Sequence, residues 1–183
     1  QQVRTGLVVL WVTPDCVNGE SMSQVVRDHA LELDPDYADA YNGRGNGYYA
    51  LGEYETAIAD YDQAIALDAE SAGCHYNLGN AYVSIGELDK AIANYDQVIA
   101  LDPQDADAFF NRGNAYFSLG DLDQAITDYD QAIALDPQDA DAYANRGLAY
   151  ETRGDMDEAI ADYGQATALE PQDTDADSAY GLG

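Results

Sequence analysis

Small and aromatic residues return along this chain in paired helix-period stretches, and each pair returns at an interval of 34 residues. Gly45, Gly79, Gly113 and Gly147 stand 34 apart, as do Tyr48, Tyr82, Tyr116 and Tyr150. Ala57, Ala91, Ala125 and Ala159 keep the interval, and so do Tyr61, Tyr95, Tyr129 and Tyr163. A step of four residues from alanine to tyrosine puts both on one face of an α-helix. Four columns kept over four units are the mark of a stacked array.

The punctuation agrees with that reading. Gly52, Gly86, Gly120 and Gly154 separate the two stretches of each unit and suit a left-handed C-cap. The residue after each is acidic (Glu53, Glu87, Asp121, Asp155) and can cap the helix that follows; Asp121 with Gln124 and Asp155 with Glu158 have capping-box spacing. Gly113 lets Ala125 approach closely while Tyr116 and Tyr129 fill the space beside them, and Pro137 is expected to end the second helix by stopping its hydrogen-bond ladder. The pattern predicts an all-α solenoid of antiparallel helix pairs, with units at 38–71, 72–105, 106–139 and 140–173, stacked into a superhelix with a concave groove.

In the last unit Tyr143, Arg146-Gly147, Tyr150, Ala159, Tyr163 and Pro171 fall at the spacing of an aromatic, Leu-Gly, Tyr, Ala, aromatic, Pro signature. On these residues the chain resembles the tetratricopeptide repeat (TPR) family, a right-handed α-solenoid, and the resemblance covers most of the chain. Two departures stand out. Arginine occupies the usual leucine column in three units, and Ala69 stands where other units carry Pro103, Pro137 and Pro171.

In that family the inner surface is lined mainly by the first helix of each unit. The resemblance therefore implies groove columns of Asn42, Tyr76, Phe110, Ala144; of Gly43, Asn77, Asn111, Asn145; of Asn46, Asn80, Asn114, Leu148; and of Tyr49, Val83, Phe117, Glu151. Two near-continuous asparagine ladders result. An amide side chain donates and accepts at once, so such a ladder can pair with the backbone of an extended peptide; the bland reading is that the amides satisfy local backbone groups and hydrate the groove. Tyr49, Tyr76, Phe110 and Phe117 would add aromatic contact area. Family members that grip acidic tails carry Lys and Arg in these columns, and here none stands at matching positions.

Charge narrows the partners. Seven Lys+Arg against 35 Asp+Glu give a formal net charge of −28. Nucleic acid and anionic membrane are repelled over a Debye length of roughly 8–10 Å. Asp39, Asp107 and Asp141 form an acidic rim that points to a neutral or basic protein or peptide. Lys90 is the only lysine, a bias shared with proteins kept hydrated in high salt or outside the cell. The compartment stays open, with a lean toward secretion or the cell surface.

The arginine column Arg44, Leu78, Arg112, Arg146 changes together with a second-helix column, Asp60, Asn94, Asp128, Asp162. Units one, three and four carry Arg with Asp, whereas unit two carries Leu with Asn. A pairing across adjacent units would set Leu78 against Asp60 and Arg112 against Asn94. The covariation therefore predicts a bidentate ion pair inside each unit, with an arginine facing ligand as the competing role.

Other chemistry is sparse. His75 follows Cys74 but occupies the packing column of Tyr41, Phe109 and Tyr143, and His29 sits near a helix end where a cation suits the dipole. Turns such as "LDPQDADA" supply Asp102, Asp105, Asp107, Asp136, Asp139 and Asp141 without EF-hand spacing. Cys16 and Cys74 permit at most one bridge. No catalytic constellation, metal site or cofactor motif emerges, so a non-catalytic protein is expected.

The ends read differently. Residues 21–37 match the close of a degenerate preceding unit, 1–20 form a non-repeat extension containing the short apolar run "LVVLWV", and 174–183 resemble the start of a further first helix. Neither end has the polar cap that arrays need. Truncation of a longer chain accounts for this, as does stacking of one chain's end on the next chain's start. The leading expectation is a scaffold that binds a peptide or helix in its groove. The alternative is a structural subunit of a head-to-tail array, an extracellular filament for example, since heterologous contacts generate open fibres when the rotation does not close.

Overall fold

The computed structural model describes residues 29–169. The N-terminal extension, residues 21–28 of the degenerate unit, Cys16, Pro171 and the segment 174–183 lie outside the described residues. After a helical stretch at 29–33 come eight helices in four antiparallel pairs. They are α1 (Ala38–Ala50) with α2 (Tyr54–Leu67), α3 (Ala72–Ser84) with α4 (Leu88–Leu101), α5 (Ala106–Leu119) with α6 (Leu122–Leu135), and α7 (Ala140–Arg153) with α8 (Met156–Leu169). Each first helix packs on its own second helix, and each second helix packs on the next unit's first. No described residue forms a strand.

Local chemistry sets the helix ends. Asp105 accepts from the Ala108 amide at 2.9 Å, Asp139 from the Ala142 amide at 3.1 Å, and Ser71 from the Cys74 amide at 3.4 Å. Each satisfies one of the orphan donors of a first helix. Between paired helices the chain turns at a glycine with positive φ, as at Gly120 (83°), a conformation that costs a residue with a Cβ. The acids after these glycines behave unequally. Asp121 accepts from the Gln124 amide at 3.4 Å, whereas Glu53 and Glu87 occupy the same N-cap position without a side-chain cap, because the extra methylene carries the carboxylate past the amide.

The stop of the second helix does not need the proline. α2 ends in the same register as α4 and α6 although Ala69 replaces proline. The common feature is an aspartate in extended geometry whose Oδ1 accepts from the amide two residues on: Asp68 from Glu70, Asp102 from Gln104, and Asp136 from Gln138, at 3.0–3.1 Å. That Asx turn terminates the helix, and proline reinforces it.

The core is a column of tyrosines crossing a column of glycines. Tyr61, Tyr95 and Tyr129 are each 1% exposed. A Cβ on Gly113 would lie 2.8 Å from a carbon of the Tyr129 ring, so glycine is what lets the helices of a unit close on the aromatic between them. Ala125, Ile126 and Tyr129 join Ala149 of the next unit in one apolar cluster, flanked by Phe110, Tyr116, Phe117 and Tyr150.

Candidate functional site

Between the paired helices of units one, three and four, the arginine and aspartate columns meet. Arg112 Nε donates to Asp128 Oδ2 at 2.8 Å and Nη2 to Oδ1 at 2.7 Å. Arg146 makes the same fork with Asp162 at 2.8 and 2.7 Å, and Arg44 with Asp60 at 2.7 and 2.7 Å. Each guanidinium also lies 5.5 Å from an aromatic centroid on its own helix, Tyr41, Phe109 or Tyr143. The hydrogen bonds that Arg112 and Arg146 donate to Asp128 and Asp162 raise their pKa against a smaller opposing effect of burial.

Two features of this seam differ from the sequence reading. Contact across adjacent units exists as well: Arg112 Nη1 donates to Asp96 of the preceding unit at 2.5 Å, and Arg146 Nη1 to Asp130 at 2.5 Å. The carboxylate involved lies two residues beyond the column compared in the sequence, so the arginine clasps two units at once. In unit two, Leu78 does not meet Asn94 through a polar contact. His75 does, with Nδ1 at 3.2 Å from Asn94 Oδ1 and Nε2 at 3.2 Å from the Ala69 carbonyl. The exchange therefore involves three positions, His75, Leu78 and Asn94, in place of aromatic, Arg and Asp.

The first helices line the concave side, where three adjoining hollows form. One of about 360 Å³ is bounded by Tyr49, Tyr76, Asn80, Ser84, Asn111 and Asn114 among others. A second of about 220 Å³ joins Asn46, Tyr49 and Tyr61 to Asn77 and Asn80, and a third of about 290 Å³ joins Tyr76 and Asn77 to Asp105 and Asp107. Phe110 and Phe117 are partly buried and pack against the cluster around Tyr129, and the aromatic lining of these three hollows is Tyr49, Tyr61, Tyr76 and Tyr95. Burial raises the pKa of Tyr76, and Asp107 and Asp105 add to the effect.

The asparagines are partly committed to the protein itself. The buried hydroxyls of Tyr61, Tyr95 and Tyr129 donate to Oδ1 of Asn46, Asn80 and Asn114 at 2.7, 2.6 and 2.8 Å. Leu148 interrupts that column, and the Tyr163 hydroxyl turns to Glu151 at 2.6 Å, which with burial lifts its pKa to about 12. The second column reaches back one unit. Asn77 Nδ2 donates to Asn42 Oδ1 at 2.9 Å and Asn111 Nδ2 to the Tyr76 hydroxyl at 2.8 Å. Phe110 offers no oxygen at the next step, and Asn145 Nδ2 takes Asn114 Oδ1 at 2.9 Å. Sequence comparison could place these amides on one face but not reveal their orientation, because their partners are tyrosines buried on another helix.

Among the described residues, no cluster of three or more His, Cys, Asp or Glu is placed to hold a metal ion. None of the described helices is long and apolar enough to cross a membrane.

Comparison with known proteins agrees with this architecture. The TPR repeat profile matches residues 45–86, 79–120 and 113–154, and tetratricopeptide repeat profiles match 28–59 and 140–173. No curated protein sequence matches the chain. Among solved structures, a crystal structure of MamA is 33% identical, covers 80% of this chain and 86% of its own, and superposes with a TM-score of 0.78. YrrB, described as a TPR protein with an unusual peptide-binding site, is 28% identical over 87% of this chain and 82% of its own, at 0.73. MamA from Desulfovibrio magneticus RS-1, 21% identical over 80% and 83% at 0.77, is a likeness of fold alone. With the glycine, tyrosine and alanine columns packed as paired helices and the repeat profiles spanning residues 28–173, the chain belongs to the tetratricopeptide repeat family.

Proposed function

We propose that the chain is a non-catalytic protein-interaction scaffold that holds a neutral or basic peptide or helix along its concave face. The observation that carries this reading is the run of three adjoining hollows, lined by amides and hydroxyls from successive first helices, one of them edged by Asp105 and exposed Asp107. Amide and hydroxyl groups recognise polypeptide without demanding a particular side chain, and the acidic edge favours cations. YrrB, the relative described as peptide-binding, supports the same reading.

The test is fluorescence anisotropy with ten-residue labelled peptides, one alternating Lys and Val, the other Asp and Val. The Lys peptide should bind and the Asp peptide should not. Ser118→Trp, at an exposed position that lines the hollow of about 360 Å³, should weaken binding at least tenfold without loss of helicity. Equal binding of both peptides, or no effect of the tryptophan, defeats the proposal.

A second reading, end-to-end self-association, rests on α8. Ile160 is 66% exposed and Met156 51%, whereas Ile126, in the register of Ile160 one unit earlier, is 6% exposed beneath the next unit. Light scattering across a concentration series decides it. Growth that Ile160→Asp abolishes supports stacking, and a constant mass at high concentration excludes it.

A further inference from the structure

Unit two departs from its neighbours at Gly73. The same position carries Asp39, Asp107 and Asp141 in the other units, each in the first turn of a first helix, where a carboxylate suits the dipole. α3 has no acid in its first turn. The glycine gives up that contact, worth roughly 0.3–1 kcal/mol, and the fold does not ask for it. Its φ lies outside the left-handed region, and a Cβ there would meet nothing within 4 Å.

What the glycine leaves is room. Gly73 lines the hollow of about 290 Å³ between units two and three, with Ala72, Tyr76 and Asn77 from its own helix and Asp105 and Asp107 from the next unit. The Tyr76 hydroxyl is bonded to Asn80 and Asn111, which line the adjoining hollow and not this one, so Tyr76 offers its ring here. Asn77 has given its amide nitrogen to Asn42, which leaves its oxygen as an acceptor. Asp105 accepts from the Ala108 amide through one oxygen and keeps the other, and neither Asp105 nor Asp107 is in an ion pair among the described residues. Burial and then these two carboxylates raise the pKa of Tyr76, which sets both acids beside the phenol.

The combination occurs once in the register. Between units one and two the corresponding residues are Asp39, Asn42, Ser71 and Gly73, without a ring or a carboxylate pair on the later unit. Between units three and four they are Asp107, Phe110, Asp139 and Asp141, with an aspartate in place of the glycine.

We infer that this hollow is an ammonium pocket that takes the side-chain head of a lysine from a bound polypeptide. An ammonium is compact and has three N–H donors. Asp105, Asp107 and Asn77 supply acceptors from three residues, and the Tyr76 ring supplies a π face for the charge. The two carboxylates also offset the positive N-terminal ends of α3 and α5, which would otherwise oppose a cation. The pocket presupposes the peptide-binding reading above and fixes one side chain of the ligand, by recognition of its charge and not of its backbone.

The experiment uses the full chain in about 0.3 M NaCl, where remote charges are screened, and a labelled decamer of Val and Ser with one central Lys. Acetylating that lysine should weaken binding at least tenfold. Asp107→Asn should weaken it at least tenfold, and Asp141→Asn, the same loss of charge one unit on, less than twofold. Gly73→Gln fills the hollow without adding charge and, with helicity unchanged, should weaken binding at least fivefold. n-Butylammonium, the bare head group, should compete only in at least hundredfold excess over the decamer. Equal losses for the two aspartate variants, no loss on acetylation, or no effect of Gly73→Gln overturns the pocket but not the groove when wild type holds the decamer. Competition by n-butylammonium at the decamer's own concentration assigns the hollow to a free amine and overturns the lysine. Failure of wild type to bind either decamer overturns pocket and groove together.

Discussion

Arg112 and Asp128, sixteen residues apart, join the two helices of one unit through a two-bond fork, and the third nitrogen of Arg112 holds Asp96 in the unit before. Asp128 is 2% exposed and the Arg112 side chain 19%, so the pair is largely withdrawn from solvent. Removing Asp128 leaves Arg112 with only the more exposed carboxylate of Asp96. Asp128→Asn should cost about 2–4 kcal/mol, below the range for a fully desolvated pair because Arg112 keeps some solvent contact. Unit two supplies the compensation: Arg112→Leu with Asp128→Asn should recover part of the loss, and adding Phe109→His should recover more, since His75 is the residue that meets Asn94. Urea unfolding of the three variants checks this, and a triple variant no better than the double removes His75 from the account.

Glycines at helix crossings and glycines on open helix faces should respond in opposite directions. A Cβ at Gly113 would press on the Tyr129 ring at 2.8 Å, and Gly113→Ala should destabilise by about 1–3 kcal/mol as an overpacked site. At Gly164 a Cβ meets nothing within 4 Å, and Gly164→Ala should stabilise by about 0.5–1 kcal/mol through helix propensity. Thermal melts of the pair measure the contrast.

The buried tyrosines predict alkaline instability. Burial is the largest effect raising the pKa of Tyr61, Tyr95 and Tyr129, while the Glu151 hydrogen bond leads in raising Tyr163 to about 12. With folded values above the unfolded value of about 10, the stability these hydroxyls contribute is complete below pH of about 10 and is lost as pH rises beyond it. Tyr163 loses its share between about 10 and 12. Chevron or urea midpoints from pH 8 to 12 should fall above pH 10, and less steeply in Tyr95→Phe. An unchanged slope in that variant contradicts the assignment.

Cys74 should report opening of the array. It is 1% exposed, accepts a hydrogen bond from the Ser71 hydroxyl, and burial raises its thiol pKa. In a Cys16→Ser background, modification by a thiol reagent should run far slower than in unfolded protein and accelerate with denaturant in parallel with unfolding. Immediate reaction in native buffer would place the thiol in an exposed or open state.

Much of the fold was written in the period. The 34-residue columns, the glycines between helices and the arginine–aspartate covariation concern residues within one unit, where helix geometry and chain connectivity fix which side chains meet. At Ala69, where the proline is missing, the Asx turn of Asp68 does the stopping locally. Partners 31–35 residues apart were harder, because they depend on how one unit sits on the next.

The sequence by itself determined the helix pairs and their order, because these follow from local period and capping. Tertiary structure alone decided that Arg112 reaches Asp96 and that Tyr95 claims the oxygen of Asn80. A side-chain amide or guanidinium has several bonds to give, and only packing of one helix against another fixes which are used and which are left for a partner.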